Sequence, residues 1–207
     1  MSVNIGVLGM QGDVEENIAA TKLAMAKAGV RGNVRQVKTP DQISKLDALI
    51  IPGGESTMIG QMSLVNGAIK TIKEKIQKGM PVFGICAGLI LLSKTAKDRV
   101  VGKMDQPLLD LLDVRIERNS FGRQRDSFEA EISAQPIGIP KSRGVFIRAP
   151  SIEGLGKGVE VVTKFNEKIV AVKQGNILAT SFHPELTTDA SWHKYFVSMI
   201  KPKKKQG

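Results

Sequence analysis

The segment Gly84-Ile85-Cys86-Ala87-Gly88 has the most specific chemical pattern in the sequence, a cysteine between two glycines directly after an apolar run. A nucleophile in this pattern, after a strand and before a helix, is typical of the sharp turn that exposes a catalytic side chain. Cys86 is the only cysteine, so it cannot form an intramolecular disulfide. The alternative is a buried structural cysteine, because free cysteines often pack as small hydrophobic residues. The pattern by itself leaves both roles open.

A cysteine that attacks an acyl group needs a neighbouring base, and the chain has two histidines. His183 follows an apolar segment, and Glu185 lies two residues further on, so both side chains can project toward one region. This spacing predicts a triad in which Glu185 orients the imidazole of His183, and His183 acts as the base for Cys86. His193 falls in a predicted helix, where we expect a surface or packing role. One cysteine and two distant histidines lack the spacing of zinc ligands, so we expect no metal.

The third candidate segment is Pro52-Gly53-Gly54-Glu55-Ser56-Thr57, at the end of a predicted strand. Adjacent glycines allow backbone N–H groups to face a ligand, as an oxyanion hole requires. The alternative is a Gly-Gly turn followed by a helix that Ser56 or Thr57 caps. No Gly-Lys-Ser/Thr sequence follows at the right spacing, so the segment does not match a phosphate-binding P-loop.

Strands and helices alternate in the first half of the chain, and this order must bring the candidate residues together. Asp13 and Glu16 resemble a capping box at the start of a helix that runs to Ala28 and ends at Gly29 and Gly32. Continuous apolar strands separated by helices favour a parallel sheet covered on both faces. We predict strands over residues 3–8, 34–37, 46–51 and 82–85, and further helices around 69–76 and over 87–96.

The second half is richer in strands and closes with a helix. We predict strands over residues 114–117, 128–132, 144–147, 159–164, 169–173 and 177–182, with turns at Glu167 and Gly175-Asn176. The spacing of Trp192, Phe196 and Ile200 indicates the closing helix. No repeat or linker divides the chain, so residues 1–207 are predicted to form a single domain with a basic tail at 201–207.

Composition limits the class of protein. The chain has 207 residues, of which 42% are hydrophobic, enough for one sizeable core. The longest nearly apolar run, residues 82–92, is too short to span a bilayer, and no basic residue precedes Lys22, so we expect neither a membrane helix nor a signal peptide. The single cysteine favours a reducing, cytoplasmic setting.

The net charge of +10 raises the question of an acidic partner. Part of the surplus lies in the tail, which contains Lys201, Lys203, Lys204 and Lys205, and the rest is spread along the chain. Aromatic residues make up only 4% of the sequence, and no RNA-binding motif accompanies the charge. A solvated basic surface is therefore favoured, and nucleic-acid binding is a minor alternative.

The three candidate segments also carry a family resemblance. PGGEST, GICAG and SFHPE, in this order, are similar to the motifs of class I, triad-type glutamine amidotransferases. The opening IGVLGMQGDVEE, the stretch ERNSFGRQ through DSFE at residues 117–129, and GVFIRAP at residues 144–150 resemble one family in particular. It is the glutaminase subunit of pyridoxal 5′-phosphate synthase, and the resemblance runs from about Asn4 to Leu186.

The resemblance implies a fold, a reaction and roles for individual residues. The implied fold is a flavodoxin-like three-layer α/β/α sandwich with a central, mostly parallel sheet and a smaller antiparallel part. The implied reaction is hydrolysis of L-glutamine to L-glutamate and ammonia, with Cys86 as nucleophile, His183 as general base and acid, and Glu185 as orienting group. The oxyanion would be held by the N–H groups of Gly54 and Ala87. The implied glutamine-binding residues are Gly54, Glu55, Ser56, Arg118, Ile147 and Arg148.

The resemblance also implies a partner, a synthase subunit that receives the ammonia within a large hetero-oligomer and activates the glutaminase on docking. Gln11 would lie near that interface, and this subunit would need no cofactor. Two other classes of function stay open. One is an elbow-cysteine hydrolase or peptidase that acts alone on another acyl substrate, and the other is a binding module, for example for RNA, whose cysteine is inert.

Overall fold

The computed structural model describes residues 2–98, 102–103, 105–120 and 127–201. Residues 121–126 of the motif at 117–129, and the basic tail beyond Lys201, lie outside the described residues. In chain order the elements are β1 (Ser2–Leu8), α1 (Val14–Ala28), β2 (Arg31–Val37), α2 (Pro40–Ser44), β3 (Ala48–Ile51), α3 (Ser56–Val65), α4 (Ala68–Gln77), β4 (Val82–Ile85), α5 (Ala87–Leu92), β5 (Ser93–Asp98), β6 (Gly102–Lys103), β7 (Leu112–Arg118), β8 (Phe128–Ala134), β9 (Ile139–Phe146), β10 (Ser151–Leu155), β11 (Glu160–Phe165), β12 (Lys168–Gln174), β13 (Ile177–Thr180) and α6 (Ser191–Ser198).

The part of the central sheet that positions the candidate residues is parallel. Its strands lie in the order β2-β1-β3-β4-β13 and run in one direction. Every residue of β3, β4 and β13 is buried, as expected for strands covered on both faces. Because the strands are parallel, their carboxyl ends meet at one edge of the sheet. The chain leaves that edge at Pro52, Cys86 and Ser181, close to all three candidate segments.

Antiparallel strands extend this sheet beyond β13. β12, β10 and β7 follow in that order with antiparallel pairing, and β11 pairs with β12. β5 joins β7 in parallel, and β6 pairs with β5 at the edge. β8 and β9 form a separate antiparallel hairpin. The predicted α/β fold, with a large, mostly parallel central sheet and an antiparallel part, is confirmed, and most of the antiparallel strands continue the same sheet.

Two hydrophobic cores fill the space between the sheet and its helices, one on each face. On one face, α1, α6 and the β8–β9 hairpin pack around Trp192, Phe196 and Phe83. On the other face, helices α2 to α5 contribute buried side chains such as Ile72 and Leu91. Full burial of one such side chain contributes about 1.5–3 kcal/mol, so the two cores fix the sheet on which the site is built. Among the helices of the described residues, none combines the length and apolar character needed to cross a bilayer.

Several predicted element boundaries differ from the structure. The helix predicted over residues 87–96 ends at Leu92, and Ser93 begins β5, because this segment pairs with the distant strand β7. Gly29 ends α1 in the left-handed conformation, with a φ of 65°, whereas Gly32 lies within β2. Apolar patterning did not predict α2 or β10, which have five residues each. A helix after the glycine loop is expected only as an alternative, and the structure has it as α3, with ten residues.

Candidate active site

Cys86 lies in the turn between β4 and α5, at the carboxyl edge of the parallel strands. Its φ of 49° and ψ of −96° are rare for a residue with a side chain. The flanking glycines make room for this turn, because a Cβ at Gly88 would overlap the carbonyl oxygen of Ile51 and one at Gly84 would overlap Leu92. The side chain of Cys86 is nearly buried but borders a cavity. This is the geometry of a strained nucleophile elbow.

His183 and Glu185 follow β13, the strand adjacent to β4. The N–H of Cys86 donates to the carbonyl oxygen of Thr180 over 2.8 Å, and this bond fixes the elbow against β13. Nδ1 of His183 lies 2.9 Å from Oε1 of Glu185, and both residues are buried. Cys86 and His183 line the same cavity, and Cys86 acts electrostatically on the His183 ring. The structure therefore brings together the three side chains that the sequence predicts to form a triad.

Asp13 also contacts His183, although the sequence predicts a capping box at this position. Oδ2 of Asp13 lies 3.2 Å from Nδ1 of His183. Asp13 is the N-cap of α1, but its side chain makes no capping hydrogen bond, so the predicted capping box with Glu16 is wrong. Only the position of Asp13 could have indicated its contact with His183, because Asp13 follows β1 at the same edge of the sheet as Cys86.

The surroundings of His183 favour its protonated form. Burial lowers the pKa of His183, but the charge of Cys86 and hydrogen bonds with Asp13, Cys86 and Glu185 raise it, so the pKa lies well above its usual value. The hydrogen bond with His183 lowers the pKa of Asp13, while burial acts in the opposite direction. The site can therefore hold an imidazolium beside Cys86, and the nucleophilic form of cysteine is the thiolate.

Three potential metal ligands lie close together at the site. The ligand atoms of Asp13, His183 and Glu185 are within 4.8 Å of one another. Both carboxylates contact the same Nδ1, however, and a protonated ring nitrogen donates hydrogen bonds and does not bind a cation. A hydrogen bond with Glu185 and an ion-pair contact with Asp13 therefore account for the cluster. That the protein uses no metal stays an expectation.

A cavity of about 330 Å³ opens beside Cys86, a size suited to a small metabolite. Ala87 and Glu185 do not line it: Ala87 is the first residue of α5, and Glu185 reaches the site through His183. The lining also includes Gly12, Asp13, Ile90 and Asn119, which the sequence does not single out as site residues. The other predicted site residues all line the cavity, namely Gln11, Gly54, Glu55, Ser56, Cys86, Arg118, Ile147, Arg148 and His183.

Glu55 and Arg118 form an ion pair at the cavity, with Nη2 of Arg118 lying 3.2 Å from Oε1 of Glu55. The carboxylate of Glu55 also accepts the N–H groups of Thr57 at 3.0 Å and Met58 at 2.7 Å. Glu55 therefore caps α3, and the predicted alternative of a cap at Ser56 or Thr57 is not observed. Burial raises the pKa of Glu55, but these hydrogen bonds and the charge of Arg118 outweigh it and keep the pKa below its usual value.

Gln106 supports this ion pair, and nothing in the sequence points to it. Its Oε1 accepts hydrogen bonds from Oγ of Ser56 at 3.2 Å, Oγ1 of Thr57 at 3.0 Å and Nη1 of Arg118 at 3.3 Å. Gln106 is buried in a segment without regular secondary structure. Only the tertiary fold brings this segment to α3.

Arg148 differs from Arg118 in having no hydrogen bond or ion pair with any residue that the structure describes. It follows Ile147 after β9, is exposed, and lines the cavity. Its φ of 45° is rare for a large side chain, so the backbone presents this guanidinium at a conformational cost. Arg148 therefore lies at the cavity without a partner among the described residues, whereas Arg118 is paired with Glu55.

Gln11 lies against the glycine loop that follows β3. Its Oε1 accepts the N–H of Glu55 at 2.7 Å, and a Cβ at Gly54 would clash with it. Gly54 itself has a φ of 146°, which favours glycine. The structure thus places Gln11 at the cavity, and its predicted place at a partner interface stays a prediction.

The second histidine, His193, is buried in α6 and has a packing role, one of the two roles expected for it. Its ring packs edge-on against Phe83 with a centroid distance of 5.6 Å, and Nε2 lies 3.2 Å from Oδ1 of Asn17. Burial lowers the pKa of His193 to about 4, so this ring is neutral at neutral pH.

Comparison with known proteins gives consistent similarities over almost the whole chain. Residues 7–202 match the model of the SNO glutamine amidotransferase family. The chain is 58% identical over 204 residues to "Pyridoxal 5′-phosphate synthase subunit PdxT" of Nitrosopumilus maritimus, an alignment that covers 99% of this chain and 100% of that protein. The PdxT subunit of Geobacillus kaustophilus is 47% identical over 202 residues, covering 98% and 97%. A crystal structure of a glutamine amidotransferase matches with a TM-score of 0.82 at 41% identity, covering 95% of this chain and 98% of the other.

Proposed function

The chain belongs to the SNO glutamine amidotransferase family, and on that basis we propose that it hydrolyses L-glutamine to L-glutamate and ammonia and delivers the ammonia to a synthase subunit that makes pyridoxal 5′-phosphate. Full-length relatives that are named as subunits of this synthase support the assignment. The observation that carries the activity is that Cys86 and His183 line one cavity, while Glu185 holds Nδ1 of His183 at 2.9 Å.

In the first half of the reaction, the thiolate of Cys86 attacks the side-chain amide carbon of glutamine. The carbonyl oxygen becomes an oxyanion, and the N–H groups of Gly54 and Ala87 hold it. Ala87 is suited to this role because the first N–H groups of a helix have no partner within the helix. The imidazolium of His183 gives its proton to the departing amide nitrogen, so ammonia leaves and a thioester on Cys86 remains.

In the second half, His183 takes a proton from water, and the resulting hydroxide attacks the thioester carbon. Collapse of the second tetrahedral intermediate breaks the bond between carbon and sulfur, releases glutamate and regenerates the thiolate of Cys86. Glu185 accepts a hydrogen bond from Nδ1 of His183 throughout, which leaves Nε2 directed at the reacting atoms.

The charged groups of the cavity match the two charged ends of a free amino acid. Arg148, which has no partner among the described residues, takes the α-carboxylate of glutamine. Glu55 is held ionised and in place by Arg118 and the start of α3, and takes the α-ammonium group. Ser56 and Ile147 complete the wall around the substrate.

Replacing Arg148 by alanine should mainly weaken the binding of glutamine. Loss of a charge-assisted hydrogen bond to a carboxylate costs about 1.5–3 kcal/mol, which corresponds to roughly a ten- to hundredfold rise in KM. Steady-state kinetics with the synthase present should show this rise with a smaller change in kcat. Arg148→Lys keeps the charge but not the planar guanidinium, so its KM should lie between those of the parent and Arg148→Ala. An unchanged KM together with weaker synthase docking would indicate that Arg148 belongs to the synthase interface and not to the glutamine pocket.

Replacing Glu185 by glutamine should reduce turnover on the order of 10²-fold or more and leave glutamine affinity nearly unchanged, because Glu185 acts through His183 and does not line the cavity. The measurement is kcat together with the dissociation constant for glutamine. Glu131→Gln, which alters an exposed acid of the β8–β9 hairpin, serves as the matched control and should behave like the parent. Full turnover of Glu185→Gln would exclude Glu185 as the orienting group.

Transfer of the glutamine amide nitrogen into the product tests the whole proposal. The protein is mixed with a pyridoxal 5′-phosphate synthase subunit, a pentose phosphate, a triose phosphate and L-glutamine labelled with ¹⁵N at the amide. Mass spectrometry should find the label in pyridoxal 5′-phosphate, and unlabelled ammonia added in moderate excess should dilute it little. Hydrolysis of a peptide substrate without turnover of glutamine would instead support the elbow-cysteine hydrolase.

We further infer that residues 1–207 act as one domain in the cytoplasm, within a large hetero-oligomer with the synthase and without a cofactor of their own. The single cysteine at a reactive elbow supports a reducing compartment, since oxidation of Cys86 would inactivate the site. The alternative of an RNA-binding module requires an inert Cys86, and labelling of this cysteine by iodoacetamide would contradict it.

A further inference from the structure

Two carboxylates from different parts of the chain share one ring nitrogen of His183. Oε1 of Glu185 lies 2.9 Å from Nδ1, and Oδ2 of Asp13 lies 3.2 Å from the same atom. A cysteine–histidine pair requires one acceptor at Nδ1 to set the tautomer. The second carboxylate is therefore not explained by the triad alone.

We propose that Asp13 is a further positioning residue, whose charge lies 3.2 Å from Nδ1 of His183 beside the acceptor Glu185 and stabilises the imidazolium that pairs with the thiolate of Cys86. The inference deepens the proposed function, because it uses Cys86 and His183 as the reacting pair. It does not depend on glutamine being the substrate.

The local structure around Asp13 favours this role over a purely structural one. Asp13 occupies the N-cap position of α1, yet its side chain makes no capping bond and points to His183. Its backbone is held independently, since its N–H donates to the carbonyl oxygen of Gly53 at 3.3 Å and its carbonyl oxygen accepts from Nδ2 of Asn17 at 2.7 Å. A Cβ at Gly53 would overlap the His183 ring and lie 2.8 Å from Oδ2 of Asp13, so the glycine loop closes over this contact.

The two carboxylates differ in their access to the cavity. The side chain of Glu185 is 0% exposed and does not line the cavity, whereas that of Asp13 is 34% exposed and does. Glu185 therefore fixes the ring from the protein interior. Asp13 places its negative charge at the wall of the cavity itself, beside the ring that carries the proton.

The charged groups that face His183 come from three elements. They are Cys86 from the elbow before α5, Glu185 from the 3₁₀ turn Pro184–Leu186, and Asp13 from the start of α1. Glu55, Arg118 and Arg148 line the same cavity. Because Asp13 is negative and contacts the ring directly, its removal should make protonation of His183 less favourable.

The test is the titration of the His183 ring by NMR, for which the chain is well suited because it has only two histidines. Asp13→Asn keeps the shape of the side chain and the N-cap preference but removes the charge. We expect its His183 midpoint to fall by about one pH unit relative to the parent. The buried His193 serves as an internal control and should not move. In the Cys86→Ala background, Asp13→Asn should still lower the His183 midpoint, since Asp13 contacts Nδ1 without the help of Cys86.

Two matched variants separate charge from structure. Asp13→Glu keeps the charge and should restore most of the parent midpoint, and Glu16→Gln removes an exposed charge of the same helix and should leave it unchanged. With glutamine and synthase, kcat of Asp13→Asn should fall about tenfold at constant KM.

A His183 midpoint in Asp13→Asn equal to that of the parent, or an equal shift in Glu16→Gln, overturns the inference. If glutamine is not hydrolysed but the midpoint shifts as expected, the proposed function fails and the role of Asp13 stands.

Discussion

Replacement of Cys86 by alanine is expected to lower ammonia release from glutamine by about 10³-fold or more, because the covalent route through the thioester is removed. The fold should persist, since the small side chain of Cys86 is nearly buried and its strained turn depends on Gly84 and Gly88. Ammonia is measured with the synthase present, together with circular dichroism and a docking assay on the same samples. Both of the latter should match the parent protein.

Cys86→Ser is the matched control for this prediction. It keeps the size and polarity of the side chain but is a far weaker nucleophile, because only a thiol ionises readily near neutral pH. Its activity should therefore be close to that of Cys86→Ala. Since Cys86 is the only cysteine, iodoacetamide should add one group to the parent and none to either variant. Ammonia release near the parent rate from Cys86→Ala would refute the nucleophile assignment.

Addition of the synthase subunit is expected to raise glutamine hydrolysis about 10²–10³-fold over that of the isolated protein. Ammonia released without its consumer is lost, so coupling requires that docking create the competent oxyanion hole. Removal of one oxyanion-hole donor lowers the rate by about 10²–10³-fold. Rotation of one peptide N–H toward the oxyanion on docking would supply such a donor. The glycine loop at Gly53 and Gly54 is the candidate, because Gly54 has a φ of 146° and Gln11 contacts the loop. Steady-state ammonia release with and without synthase measures the effect.

Two variants locate this activation. Gln11→Ala removes the side chain that accepts the N–H of Glu55, and we expect a smaller response to the synthase. Deletion of residues 201–207 should leave the response unchanged, because every residue that lines the cavity precedes this tail. Equal rates with and without synthase would refute partner activation. If the synthase activates Gln11→Ala as strongly as the parent, only the role assigned to the Gln11 side chain is contradicted.

Much of the site could be predicted because its local segments carry strong backbone requirements. The order of an apolar strand, a glycine-flanked cysteine and a helix places Cys86 at an elbow, and the structure has this turn between β4 and α5. The two-residue spacing of His183 and Glu185 likewise suffices for their contact. Parallel strands then bring the separate segments to one edge, which the alternation of strands and helices already implies.

Residues whose roles depend on distant partners could not be predicted in the same way. Asp13 has the local signature of a capping box, yet its carboxylate contacts His183 near the other end of the chain. Gln106 has no local signature at all, but it accepts hydrogen bonds from Ser56, Thr57 and Arg118. The end of α5 at Leu92 similarly depends on the pairing of β5 with β7.

The sequence by itself determined the nucleophile elbow, the His-x-Glu pair, the glycine loop and the α/β class of the fold. The tertiary structure alone decided which charges are paired at the cavity. It engages Arg118 with Glu55, leaves Arg148 without a partner among the described residues, and places Asp13 beside Glu185 at His183. The physical reason is the range of the interactions involved. Turns and strands follow from steric requirements of neighbouring residues, whereas hydrogen bonds between side chains depend on distances that only the packed sheet and helices set.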